Sequence, residues 1–267
     1  MVLSWVVPGS FSSPVWWETV TPFLKEAGYE WVDAPLPSSN SEGKFKVPRT
    51  VQDDAASIKS VVSGVVNHGK EVVLVMHSYA GFPGTEATEG LGKAELQKQG
   101  KNGGVVGLVY VAAWMPPVGK SIFTLQDEPE MLKNAVRRNT PKLQETSADR
   151  IYKEEYTYMP GGEFYKYLFP DIPEEEAKRY TALLKNHSSA SWHGVITYPA
   201  YKFIPTTCII PELDFVIATN IQKGQVVREE AEGVKIAVHE LKGVGHAPMV
   251  GVPDKLAQIL IDTAKAS

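Results

Sequence analysis

The 267-residue chain has one cysteine, Cys208, so neither an internal disulfide nor a metal site built on several cysteines can form within it. Cys208 lies in an apolar run and is expected to be a reduced core thiol. Metal-ligand spacings are missing as well: no H-x-x-x-H pair and no Asp-rich loop of the calcium type occurs. No G-x-G-x-x-G opens a helix after a strand, which leaves a dinucleotide site without its fingerprint. The expectation is chemistry without metal or cofactor. Charge of either sign is modest, with a net charge of −4. No basic cluster is long enough to follow a phosphate backbone, so nucleic acid is not an expected partner. The N-terminus lacks a charged leader, and its first apolar stretch breaks at Pro8-Gly9. Other apolar runs are strand-sized, so no membrane partner is expected and a cytoplasmic enzyme is the default.

What is present is an ordinary core, with 43% hydrophobic and 22% charged residues. The length suits one large α/β domain with an insertion. The most informative stretch is 70–84, KEVVLVMHSYAGFPG. An apolar, β-branched run ends at His77-Ser78-Tyr79-Ala80-Gly81, and helix-forming residues follow. A buried strand turning sharply into a helix is the setting in which a strained turn exposes a serine hydroxyl. The match to G-x-S-x-G is incomplete: Met76 and Ala80 stand at the glycine positions and Gly81 comes one place late.

Taken in order, residues 2–7 read as a buried strand, 15–27 as a helix stopped by Gly28, and 29–34 as a strand. Residues 35–48 form a loop rich in Pro, Ser and Gly. Residues 50–67 place Val51, Ala55, Ile58, Val61, Val62 and Val65 on one helical face, and Asp53 and Asp54 suit its first turn. A helix over 84–99 and a fully apolar strand over 105–113 follow. Alternating strands and helices imply right-handed crossovers and a mostly parallel sheet, with the site at the carboxyl ends of the strands. Residues 116–200 break the alternation with helix-like pieces at 128–139, 147–156, 162–169 and 173–185, and read as an aromatic-rich helical cap. The alternation resumes with a strand at 206–211, a helix at 219–231, a strand at 234–241 and a closing helix at 253–264. The expected organisation is therefore an α/β core from 1–115 and 201–267, with a cap at 116–200.

Three groups leave separate strand ends in the order Ser78, Asp214, His246. A serine hydroxyl needs a base during attack, and histidine suits because its unperturbed pKa is about 6.5. A carboxylate holds the imidazole tautomer and stabilises the imidazolium. Glu212 is a rival acid two places from Asp214. The backbone N–H groups of Ser10 and Tyr79 are the natural oxyanion donors. Phe11, Trp114, Trp192 and His193 are candidate substrate contacts. His77 is expected to point away from the site, His68 to be a solvated helix end and His239 to lie within a strand. His187 and His193 fall in the cap, where solvation and substrate contact both stay open.

With VVPGSF, VVLVMHSYAG, GGVVGLVYVAAWMP, IPTTCIIPELD and LKGVGHAPM in hand, the chain resembles the α/β-hydrolase superfamily over nearly its whole length. It is similar to the small branch of plant methylesterases, hydroxynitrile lyases and small fungal and bacterial hydrolases. The resemblance implies an α/β-hydrolase fold: a mostly parallel sheet of about six strands, helices on both faces and an inserted helical cap. The lyases of that branch carry a threonine before the first oxyanion residue and a lysine after the histidine. Here those positions are Gly9 and Ala247, which favours ester chemistry, while Pro8 replaces the usual histidine of a His-Gly pair. The expected activity is serine hydrolysis of a small carboxylic ester or lactone, of the kind found in secondary metabolism. The alternative is an isomerase, cyclase or carbon–carbon lyase with His246 as general base, and a ligand receptor is a third reading. Neutral, apolar or aromatic substrates are expected because no cationic cluster marks the pocket, and a homodimer stays open.

Overall fold

The computed structural model describes residues 2–12, 14–40, 47–125, 156–157 and 163–267. Its strands are β1 (Val2–Val7), β2 (Glu30–Asp33), β3 (Ser39–Asn40), β4 (Glu71–His77), β5 (Gly104–Val111), β6 (Tyr156–Thr157), β7 (Asn186–Ser188), β8 (Thr206–Pro211) and β9 (Ile236–Leu241). Six of them form one parallel sheet in the order β2-β1-β4-β5-β8-β9. This is the expected α/β-hydrolase sheet, and the number of strands agrees. The order reverses between β1 and β4, because the chain first steps outward to β2 and then crosses back. Such a reversal opens a crevice beyond the carboxyl ends of the two strands. Ser78 follows the end of β4 directly, and Ser10 lies three residues past the end of β1.

Period-two patterning distributes β4 between two cores. Val72, Leu74 and Met76 join Ile58, Leu108, Tyr110 and Ile210 on one face. Val73 and Val75 join Trp16, Trp17, Val109, Ile209 and Leu260 on the other. Burying five such apolar side chains supplies on the order of 10 kcal/mol before chain entropy is charged against it. The cost of strain at the end of this strand is small beside that.

The helix Val51–Val66 starts with a capping box: Thr50 accepts from the Asp53 N–H, and Asp53 accepts from the Thr50 N–H at 2.8 Å. Asp54 does something different. It is fully buried and accepts from Ser38 N (2.8 Å), Ser38 Oγ (2.6 Å) and Tyr79 Oη (2.7 Å).

Several elements differ from the sequence reading. The helix expected over 15–27 is a 3₁₀ segment, Pro14–Thr19, followed by an α-helix, Thr21–Glu26. Pro22 has no N–H to continue an earlier ladder, so a new helix begins there. The helix expected over 84–99 is two helices, Gly81–Ala87 and Lys93–Lys98, with Gly90 at φ 75° between them. The loop at 35–48 contains β3, which pairs with β7, and β7 pairs with β6. The segment expected to be a helical cap thus contributes two strands of an antiparallel three-stranded sheet. Its helices include Ile122–Leu125, Tyr165–Leu168 and Glu174–Thr181, the last two inside the pieces expected at 162–169 and 173–185. The helix expected at 128–139 lies outside the described residues, as does that at 147–156 except for Tyr156. Among the described residues no helix is long and apolar enough to cross a membrane.

Candidate active site

Ser78 has φ 56°, a left-handed conformation that a β-carbon disfavours. The turn follows from its neighbours. β4 ends at His77, residues Ser78–Ala80 form one 3₁₀ turn, and the helix Gly81–Ala87 leaves immediately. The departures at Met76 and Ala80 are met by glycines elsewhere. A β-carbon at Gly81 would overlap the Trp114 carbonyl oxygen, and one at Gly84 would overlap the Met76 sulfur. The room that a glycine in the strand would leave is provided by Gly84 on the helix that Met76 faces. Trp114 N donates to the Ser78 carbonyl at 3.2 Å, which ties the end of β5 to the turn.

Ser78 Oγ lies 3.1 Å from His246 Nε2, and His246 Nδ1 lies 2.9 Å from Asp214 Oδ2. All three residues are buried. Asp214 is held by four contacts. Oδ1 accepts from Val216 N (2.8 Å) and Ile217 N (2.9 Å), while Oδ2 accepts from Gln222 Nε2 (2.8 Å) as well as from the imidazole. A carboxylate so placed requires the proton on His246 Nδ1. Nε2 is then the acceptor that faces the serine hydroxyl. The rival acid is placed differently: Glu212 is exposed and accepts from Gly243 N at 2.8 Å.

The turn after β1 lies against the serine. A β-carbon on Gly9 would stand 2.9 Å from Ser78 Cβ and 2.9 Å from His77 Nδ1, so only glycine allows this approach. Ser12 Oγ donates to the Gly9 carbonyl at 2.9 Å, and Phe11 takes φ 62°. Ser10 and Tyr79 therefore stand on adjoining turns. Phe11 faces an aromatic cluster, with ring centroids 5.9 Å from Trp192 and 5.4 Å from His187. Tyr79 completes it, 4.8 Å from His187 and 5.4 Å from Trp192. Trp114 packs against the cluster of Ile217, Ala218 and Ile221, which begins three residues after Asp214 in the chain.

The histidines sort by environment. His68 and His239 are exposed, and His239 lies in β9, as expected. His193 is exposed at the end of the 3₁₀ turn that carries Trp192. His187 is fully buried, against the expectation that left solvation open; β7 carries it inward, where Nε2 lies 2.8 Å from Ser191 Oγ. Burial lowers its pKa to about 3, so it is neutral. His77 points away from the serine, as expected, but it does not leave the site. Its Nε2 donates to the His246 carbonyl at 2.9 Å, and the two rings are 4.8 Å apart. Burial, then the nearby His246, lower its pKa to about 3. His77, Gln222 and the Asp54–Tyr79 bond were missed by sequence reasoning. Only His77 left a signal there, by adjoining the serine.

A hydroxyl on a strained strand–helix turn, hydrogen-bonded to an imidazole that a carboxylate orients, is the arrangement of a nucleophile with its base. The model of the alpha/beta hydrolase family matches residues 6–259, and the chain belongs to that family. Among curated proteins, a probable hydrolase R7 from a Phoma species is 29% identical over 263 residues, covering 97% of this chain and 96% of the relative. Among solved structures, a mutant of polyneuridine aldehyde esterase superposes with a TM-score of 0.70 at 18% identity, over 98% of this chain and 99% of that one. A pyrethroid hydrolase from Sphingobium faniae gives the same TM-score and identity, over 100% and 98%. At that identity the structural likeness bears on the fold, which is the one the sequence resemblance implied.

Proposed function

We propose that the protein is a serine hydrolase that cleaves a small carboxylic ester or lactone through an acyl-enzyme. The observation that carries this reading is the hydrogen-bonded series from Ser78 Oγ through His246 to Asp214 on a left-handed serine. In the first step Ser78 Oγ bonds to the acyl carbon and its proton passes to His246 Nε2. Asp214 stabilises the imidazolium. The tetrahedral oxyanion accepts from the backbone N–H groups of Ser10 and Tyr79, each such donor being worth roughly 3 kcal/mol. Collapse breaks the bond to the alcohol oxygen, which leaves with the proton from Nε2. Water then gives a proton to Nε2, adds to the acyl carbon and releases the acid, and Ser78 recovers its hydrogen.

The segment 116–200 acts as a cap that bounds the acyl or alcohol side. Phe11, Trp114 and Trp192 supply apolar contact, with His193 at the rim, so the substrate is neutral and apolar or aromatic. The names of the relatives, a probable hydrolase, an esterase and a pyrethroid hydrolase, are consistent with this class. The alternative chemistry of an isomerase, cyclase or lyase drew on the departures at Met76 and Ala80. It drew equally on the aromatic-rich cap; the room at Gly81 and Gly84 speaks against the first ground and leaves the second standing.

The test is turnover of an activated aryl ester and labelling by a fluorophosphonate. The native chain is expected to turn over the ester and to be labelled at Ser78, and Ser78→Ala to do neither. An S78A chain that hydrolyses at the native rate refutes the reading. Metabolite turnover without labelling of Ser78 favours the alternative.

A further inference from the structure

We propose that His77 and Asp171 are positioning residues that clamp the main chain on both sides of His246, so that the inserted segment helps to place the general base. The inference rests on the reading of His246 as that base. Asp214 fixes the rotation of the imidazole, but it does not fix where the His246 backbone stands. The loop contains Gly243, at φ 69°, and Gly245, and ahead of the base it is tied to the turn after β8: Gly243 N donates to Glu212 at 2.8 Å and Leu213 N donates to the Val244 carbonyl at 2.8 Å. Two further contacts, from separate elements, act on the residues next to the base.

The first comes from β4. His77 Nε2 donates to the His246 carbonyl at 2.9 Å, which pins the peptide after the base. Burial keeps His77 neutral at ordinary pH. With the proton on Nε2, its Nδ1 is a buried acceptor without a partner, and Gly9 packs against it. Ser78 is the next residue, so nucleophile and base are referred to a single strand end. The second contact comes from the stretch after the helix Tyr165–Leu168. The Asp171 carboxylate lies against the main chain at Gly245, facing the N–H of the Val244–Gly245 peptide one residue before the base. A β-carbon on Gly245 would stand 2.7 Å from Asp171 Oδ1 and would overlap Pro170. One on Gly251 would overlap Asp171 Oδ2. The glycine of G-V-G-H is thus required by a residue of the insertion, 74 positions earlier in the chain.

Misplacing a reacting group by about 1 Å can cost about a hundredfold in rate. Removing either contact should therefore lower kcat for p-nitrophenyl butyrate by about 10- to 100-fold, with KM held within about twofold. The variants are His77→Phe, which keeps a ring without the donor, and Asp171→Leu, which keeps volume without the acceptor. Fluorophosphonate labelling should slow in proportion. His77→Gln and Asp171→Asn, which restore a donor and an acceptor, should recover most of the loss. Folded His77→Phe and Asp171→Leu chains with native kcat, or with a raised KM alone, overturn the proposal.

Should those variants not fold, imidazole NMR on the native chain decides. His77 is expected as the neutral Nε2–H tautomer across the range in which an unperturbed histidine titrates, with slow exchange of the Gly245 amide. An Nδ1–H tautomer, or ordinary titration of His77, overturns it. Ser78→Ala in the same ester assay separates the two failures: an active S78A chain removes the hydrolase reading, while the NMR result judges the clamp itself.

Discussion

Asp54 should make the protein lose stability as pH rises, and the size of the loss follows from its surroundings. The carboxyl is fully buried, and Ser38 and Tyr79 donate to it. Burial raises its pKa from 3.8 to about 6; the Ser38 and Tyr79 bonds oppose the rise, and the neighbouring Asp53 adds to it. Between these two values the folded chain holds a proton that the unfolded chain has released. Stability then falls as pH rises through the window and is fully reduced above the folded pKa. A carboxyl raised from 3.8 to about 6 forfeits about 3 kcal/mol once ionised. Other groups titrate in the same range, so the measurement is a difference. Urea unfolding of the native chain and of Asp54→Asn is followed from about pH 4 to about pH 7. Asparagine also loses an acceptor, at about 1–3 kcal/mol, but that offset does not depend on pH. The stability of the native chain minus that of D54N should fall by about 3 kcal/mol across the range. A flat difference would show that Asp54 ionises as easily folded as unfolded, and the claim of a desolvated carboxylate under Tyr79 would fail.

Other outcomes follow from single contacts. Asp214→Asn should lower kcat by about 10⁴, because the amide favours the wrong imidazole tautomer, whereas Glu212→Gln should stay within a few-fold; equal losses would return Glu212 to the mechanism. Gly84→Ala should cost about 1–3 kcal/mol through overlap with Met76, partly masked by better helix propensity. In a Met76→Ala background, itself destabilised by the cavity it leaves, the same Gly84→Ala change should cost little or nothing, and a thermodynamic cycle of melts showing no coupling would refute that packing. Cys208 is buried, and burial pushes its thiol up to about 12, so a thiol-specific chromogenic disulfide should react with it only in denaturant. Fast reaction in the native state would contradict its placement.

The sequence was legible where one element carries its own signal. The run Val72–Met76 must be buried on both faces, and it is. The strand Thr206–Pro211 and the helix Thr219–Ala231 fall at the bounds that their composition predicts. The loops after strands hold Ser78, Asp214 and His246 because a parallel sheet sends such loops to one edge. Legibility failed where structure depends on pairs distant in sequence. β3 and β7 are two and three residues long and meet through Ser39↔His187, so neither can show a period. The same cause left His187 unplaced: its burial is a property of β7, not of the residues beside it.

The choice between Asp214 and Glu212 was also a matter of direction. Two places along a turn reverse where a side chain points, and only Asp214 sits where Val216 N, Ile217 N and Gln222 can hold it toward the imidazole. The contacts that steady the site, from His77, Gln222 and Asp171, are likewise relations between segments. They still leave a trace at glycines. Gly9, Gly84 and Gly245 each stand where another group comes too close for a side chain, and none of the three is at positive φ. Gly64 and Gly224 also lack positive φ but have open surroundings, so it is the close neighbour that marks a crossing of two segments, and the crossings at Gly9, Gly84 and Gly245 involve the turn and strand that carry Ser78 and the loop that carries His246.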